Sequence, residues 1–504
     1  MSRRFAALAL VAALALVSPA CRPAPPDGDE VRVALAVEPP HLNPLLGDPA
    51  AIAIALGDVF EPLVRPAEAG GPLADELVLA ARWDRLDGDT TWRFTLRRDA
   101  RWHDGAPFTS ADVAATFGML ARLPTPLAAE FDDLEALETP APDVVVMRFK
   151  GYRFGRPGSL ARVPILPAHG LVRVEPSKLA LAAVSRQPVG TGPYRVARWD
   201  GGVSIELVRA PGARVVPPVA RIRYLVLGDR VQALAQLRAG AIDLVPSVPL
   251  GELADAGPDA RAIPWEAQST SVVVWNQTRP ALKDPRVRRA LTMTLDRPGM
   301  VRELLGGHGH TLATPWPDGD PAHDPAISPW PVDGHAAAKL ITEAGVAPLT
   351  VEVLVPETSA TFRRVATIWA ADAQAAGITI VPRPIAFATL LERAVAGDYD
   401  GVALGMPIER EQDLWHVLHS SQRGIGNLGA VEDAEIDRLT DAIRITADPV
   451  ARQALEHALG ARLHELEPFT IVFGDVRVGV AGPRLAGLRI GPLGAPARAM
   501  RLAR

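Results

Sequence analysis

At 504 residues the chain is too long for one ordinary hydrophobic core, which implies several domains. It is 48% apolar and 22% charged with a formal net charge of −5, the balance of a soluble globular protein. There is no basic excess to neutralise phosphates, which speaks against nucleic acid as a partner.

The N-terminus reads as an export signal: Arg3 and Arg4 precede an apolar run from Phe5 to Val17, followed by the small residues Ser18, Pro19 and Ala20. The run is shorter than the roughly 20 residues that span a bilayer as a helix. Cys21 is the only cysteine, which excludes an intramolecular disulfide and leaves stability to burial. "LVSPAC" resembles a bacterial lipoprotein signal, with Ser18 where that pattern prefers Leu; lipidation at Cys21 would hold the mature protein on a membrane surface, the alternatives being ordinary secretion and a retained anchor. The polar "RPAPPDGDE" that follows reads as a tether.

From Val31, "VRVALAVEPPHLNP" is an alternating strand broken by a Pro pair. "WRFTLRRDARW" alternates over Trp92, Phe94 and Leu96 and predicts a half-buried strand. It runs into "RWHDGAPFTSADVAATF", which gathers a Trp, a His, two acids and hydroxyl residues around one turn. Asp104 and Gly105 supply turn chemistry, Thr109 and Asp112 have capping-box spacing, and Val113 and Phe117 supply a buried helix face. Nothing in this segment demands catalysis.

Residues 188–226 predict strands with Gly-rich connections, and "VQALAQLRAG" a helix ending at Gly240. A second block begins with the strand "STSVVVWNQ" and a helix opened by Asp284 and Pro285, with Val287, Ala290, Leu291, Thr294 and Leu295 on its buried face. "LTVEVLVP" and "ITIVPRPI" are strands flanking the helix "TFRRVATIWAADAQAAG". Asp448 and Pro449 open a last helix with Leu455, Ala458, Leu459, Leu463 and Leu466 buried.

Enzyme motifs approach and fail. "HELEP" at 464–468 starts like a zinc-protease helix, but Pro468 stands where the second ligand belongs. "GTGPY" at 190–194 lacks the Gly-Lys-Ser/Thr of a phosphate loop, and no G-x-S-x-G elbow is present. His308 and His310 form H-x-H without a third ligand nearby, and His323 and His335 are isolated. His416 and His419, at i, i+3, are the remaining metal candidates.

Four stretches in order resemble one family, the extracytoplasmic solute-binding proteins of peptide/nickel-type ABC importers, family 5: "EPPHLNP", "FTLRRDARWHDGAPFTSADVAATF", "PVGTGPYR" and "VVVWNQTRPALKDPRVRRALTMTLDR". The resemblance spans roughly residues 31–480. It implies an α/β, two-lobe periplasmic-binding-protein fold of type II, the three-domain peptide-binding form, with a hinge and an interlobe ligand cleft. The expected organisation is 1–20 signal peptide, 21–30 tether, 31–62 with 188–270 and 478–504 as lobe one, 63–187 as a small inserted domain, and 271–477 as lobe two.

What the resemblance implies for function is a non-enzymatic, monomeric, extracytoplasmic lipoprotein without cofactor or protein-bound metal. It would capture an oligopeptide or peptide-like solute by lobe closure and pass it to the transmembrane subunits of an ABC permease. The expected ligand-binding residues are Glu38, Pro39 and Pro40, Asn276, and Gly405, Met406, Pro407 and Glu409. Met406 stands where peptide binders carry Trp, Glu409 where they carry Asp, and Pro356 where dipeptide binders carry Arg. These departures disfavour a dipeptide relative to longer peptides or other solutes. Arg363 and Arg364 fit a solvated helix face; Asn276 equally fits a structural strand end, Glu409 a surface acid and Met406 a core residue. The alternatives are a nickel or metal-chelate carrier using His416 or His419, and a ligand-sensing domain for a signalling receptor.

Overall fold

A computed structural model describes residues 28–65, 76–307, 309–357, 359–408, 414–488 and 500–503. The expected export signal, Cys21 and Glu409 lie outside the described residues.

The first strand, β1 (Glu30–Leu35), ends before the Pro pair. Next come β2 (Ala80–Leu86), β3 (Thr91–Leu96), helix α1 (Ser110–Leu120), β4 (Leu134–Ala141) and β5 (Val144–Phe149). These four strands form their own antiparallel sheet in the order β2-β3-β5-β4. The alternation read around Trp92 holds: Trp92, Phe94 and Leu96 are buried, and Trp83 packs edge-on against Trp92 at 5.2 Å between ring centroids.

The chain continues through β6 (Tyr194–Asp200), β7 (Ser204–Arg209), β8 (Arg221–Val226), α2 (Arg230–Arg238), β9 (Leu244–Pro249) and β10 (Arg261–Trp275). It then forms α3 (Pro285–Met293), β11 (Leu349–Pro356), α4 (Ala360–Asp372), β12 (Ile378–Ile385), β13 (Gly401–Ile408), α5 (Ala434–Ile445), α6 (Pro449–Leu466) and β14 (Phe469–Ala481). Asp284 and Asp448 cap their helices as the Asp-Pro starts predict, accepting the Arg286 amide at 2.9 Å and the Ala451 amide at 2.7 Å. The buried face of α3 is as predicted, whereas on α6 Ala458 is exposed and Leu455 and Leu466 are half-buried.

The main sheet runs β12-β11-β13-β10-β14-β9-β1-β8-β7-β6, with a two-residue strand, Gly309–His310, added on β14. Among the described strands, only β10 and β14 belong to both halves. They pair antiparallel from Arg261 opposite Ala481 to Val274 opposite Phe469, with register shifts between Pro264 and Gln268 and between Ser271 and Val272. The boundaries expected at 270/271 and 477/478 therefore fall inside strands, because each crossing is a continuous ladder strand.

The four-stranded sheet has no core of its own. One apolar cluster joins Trp92, Phe94, Val113 and Met147 of that region to Val31, Phe60, Ile205 and Ile222 of the main sheet. The other half is held by separate clusters, one around Trp275, Leu291 and Trp369 and one around Leu312, Ile436 and Leu463. The turn at Phe154 reaches across: its amide donates to the Arg444 carbonyl at the end of α5 (2.6 Å), and the Arg452 guanidinium of α6 lies 3.9 Å from the centre of the Phe154 ring.

Candidate functional site

Strand direction locates the crevice. β9 runs antiparallel to β14, with Pro249 opposite Arg477, and β1 is parallel to both β8 and β9. In the other half, β13 runs antiparallel to β10 with Ile408 opposite Gln268, and β11 is parallel to β12 and β13. The carboxyl ends of β1, β8 and β9 thus point to the crossing from one side, and those of β11, β12 and β13 from the other. Open α/β sheets bind ligands beyond those ends, because the loops there converge and the backbone leaves the ladder.

Glu38, Pro39 and Pro40 follow the carboxyl end of β1 and line a cleft of about 880 Å³ together with Arg186, Arg195 and Trp199, all from this half of the molecule. Glu38 is a strut: one carboxylate oxygen accepts the Trp199 indole N–H at 2.7 Å and the other accepts the Gly202 amide at 2.8 Å. Arg186 stacks over the Trp199 ring at 4.8 Å and donates to the Pro40 carbonyl. Sequence reasoning singles out Glu38 as a ligand contact and misses its partners Trp199 and Gly202 and the neighbouring Arg186, since these are far along the chain and carry no local signal.

The same cleft borders His103. Its Nδ1 accepts the Gly190 amide at 3.1 Å, which leaves the Nε2 proton to donate to the Gly192 carbonyl at 2.9 Å. Burial lowers its pKa below 6.5, and the nearby Arg195 charge acts in the same direction. The imidazole is a neutral clamp. Glycine is required opposite it: a Cβ on Gly190 would lie 1.7 Å from the Val59 carbonyl oxygen, and one on Gly192 would lie 2.3 Å from that of Asp58. Asp112 serves similarly at the start of α1, accepting the Thr109 amide (2.8 Å), the Ala168 amide (2.8 Å) and the Trp102 indole N–H (3.3 Å).

On the facing half, Gly405, Met406 and Pro407 lie near the carboxyl end of β13, opposite Ser271, Thr270 and Ser269 of β10. Gly405 is exposed and Met406 half-buried against the Leu312–Ile436 cluster. Pro356 closes β11, and Arg363 and Arg364 are exposed on α4, the former donating to the Glu357 carbonyl.

Asn276 is a correction. Trp275 pairs with Gly401 at the end of β13 away from the crossing, so Asn276 lies far from the crevice. Its amide donates to the carbonyls of Gly397 (3.0 Å) and Tyr399 (2.9 Å), and its oxygen accepts from Thr278. It is 1% exposed, and the loop before β13 is held in place by it. His419 stacks on Trp415 at 4.8 Å and bonds Ser421; among the described residues no three His, Cys, Asp or Glu side chains are grouped to hold a metal ion. No helix among the described residues is long and apolar enough to cross a membrane.

A family model described as bacterial extracellular solute-binding proteins, family 5 Middle, matches residues 76–417. Among curated proteins, the chain is 25% identical over 393 residues to the probable D,D-dipeptide-binding periplasmic protein DdpA of Escherichia coli (strain K12), covering 74% of each. It is 23% identical over 484 residues to the oligopeptide-binding protein AppA of Bacillus subtilis (strain 168), covering 89% of this chain and 87% of that one. The structure of AppA in complex with a nonapeptide matches with a TM-score of 0.85 at 22% identity, over 95% of this chain and 100% of that one. NikZ from Campylobacter jejuni in complex with Ni(L-His) matches with 0.81 at 20%, over 93% and 97%. The shared architecture is the two-lobe, type II periplasmic-binding-protein fold, carried by proteins whose bound molecules differ widely.

Proposed function

The chain belongs to the bacterial extracellular solute-binding proteins of family 5, and from that premise we propose that it is the capture subunit of an ABC importer for an oligopeptide or peptide-like solute. The observation that carries this reading is the convergence of strand ends from two half-sheets on one crossing, with Glu38–Pro40 from one half and Gly405–Pro407 from the other. Two lobes joined by two strands can close on a solute and reopen without any covalent step. In this reading Glu409, next along the chain after β13, meets the solute amine, and Cys21 carries the lipid that keeps the protein beside its permease.

Relatives that bind dipeptides and oligopeptides support a peptide solute. Met406 in place of an aromatic wall favours a site wider than a dipeptide needs. The test is native mass spectrometry of freshly purified protein, followed by thermal unfolding with peptides of graded length. A co-purified peptide and a rise in Tm are expected, since solute at 100 times its Kd stabilises the native state by about 2.7 kcal/mol. No bound small molecule and no shift with any peptide, sugar or metal chelate would overturn the proposal.

A further inference from the structure

The cleft beside Glu38 carries an unbalanced charge. Both of its acids are occupied by the protein: Glu38 by Trp199 and Gly202, and Asp104 by the Ala106 amide at 3.0 Å and by His169 Nε2 at 2.8 Å. Arg198 is neutralised by Asp200 at 2.6 Å, and both ring nitrogens of His103 are taken by backbone. Arg186 and Arg195 remain. Both are exposed cations lining the cleft, and among the described residues neither forms an ion pair. The groups engaged by Arg186 are the Pro40 carbonyl and the face of Trp199.

Stacking on an indole fixes the plane of a guanidinium; with Nη1 donating to the Pro40 carbonyl, Arg186 has Nε and Nη2 on its other edge, the pair with which Arg reads a planar oxyanion through two parallel hydrogen bonds. A second guanidinium in the same cleft, without a carboxylate partner, adds attraction. An amine in this place would meet two cations and two acids already satisfied. Resting on the capture reading, we propose that the cleft is an oxyanion subsite, recognising a carboxylate or phosphate of the solute through Arg186 and Arg195, while Glu38 positions Trp199 and does not itself read charge.

The test works whichever solute the protein carries. The full mature protein is treated with phenylglyoxal, which modifies free guanidinium groups, and labelling at each Arg is read by peptide mass spectrometry. The probes are succinate, inorganic phosphate and, as the neutral control, glycerol. Succinate or phosphate is expected to protect Arg186 and Arg195 selectively, with the exposed Arg363 and Arg364 labelled as before, and the more effective of the two identifies the anion. Arg186→Gln is expected to weaken protection of Arg195 by about tenfold or more, the loss of one charge-assisted contact. Arg186→Gln also gives up the stacking on Trp199 and the bond to the Pro40 carbonyl, so its melting temperature is measured alongside, and Arg195→Gln, which gives up neither, is expected to weaken protection of Arg186 at unchanged melting temperature.

Equal labelling with and without either anion overturns the subsite, as does a co-purified solute with no acidic group, which would leave the capture reading intact. Protection in a protein that never holds a solute would sustain the subsite and count against capture.

Discussion

His103, half-buried, and Glu467, buried, are titratable side chains with opposite consequences for stability. Glu467 sits at the junction of α6 and β14, and burial pushes its carboxyl up to about 7 although Thr292 donates to it at 2.9 Å and Arg297 is near. A carboxyl raised in the folded state favours folding most below its unfolded value of 4.5, and that contribution is lost as pH rises through about 7. Glu467→Gln should therefore gain stability relative to the natural protein between pH 5 and 8, by up to about 3 kcal/mol at the alkaline end, seen as a Tm difference that widens with pH. His103 slopes the other way: its pKa is lowered, so its contribution is present above 6.5 and lost as pH falls below it. At Gly190 the conflict is steric. Gly190→Ala drives a methyl into the Val59 carbonyl and should cost on the order of 4 kcal/mol, measured as a loss of soluble protein and a lower Tm.

At the scale of elements, most helices and strands are legible in the sequence because each carries its own punctuation: Asp-Pro starts, a period-2 alternation, a Gly stop. Spacing alone reveals the capping pair Thr109 and Asp112, but not the reach of Asp112 to Ala168, since contacts between distant segments leave no periodicity. Asp112→Asn turns one acceptor oxygen into a donor facing other donors and should cost about 3 kcal/mol, read as a fall in Tm. The first half of β10 is illegible. "RAIPWEAQ" mixes Pro264 with polar residues, and Pro argues against a central strand unless the ladder is irregular there, as it is between Pro264 and Gln268. Asn276 misleads for a related reason: a polar residue closing an apolar strand looks like a ligand contact until its carbonyl partners are seen.

For the whole molecule, two lobes and their order in the chain follow from motif resemblance, but the contact that spans them does not. Phe154, on the turn after β5, seats its ring under Arg452 and bonds Arg444. Phe154→Ala removes a cation–π contact and apolar burial together worth about 2 kcal/mol, with no change to the crossing strands. The variant should show a larger radius of gyration by small-angle scattering in solute-free protein, and weaker capture of the co-purified solute by roughly tenfold. An unchanged scattering curve would mean the turn rests on α6 without restraining the lobes.

The two shared strands set what such a restraint has to work against. A paired ribbon resists stretching and shear, since either breaks hydrogen bonds, but it twists readily. The register of the ribbon of β10 and β14 is interrupted between Pro264 and Gln268, so fewer ladder bonds oppose twisting there than along its two ends. On the capture reading the lobes would exchange angle by twisting this ribbon, with no ladder bond made or lost between the loaded and unloaded states. On that same reading, a solute that favours the shut setting by about 5.5 kcal/mol would turn a 1:99 mixture of shut and open into 99:1.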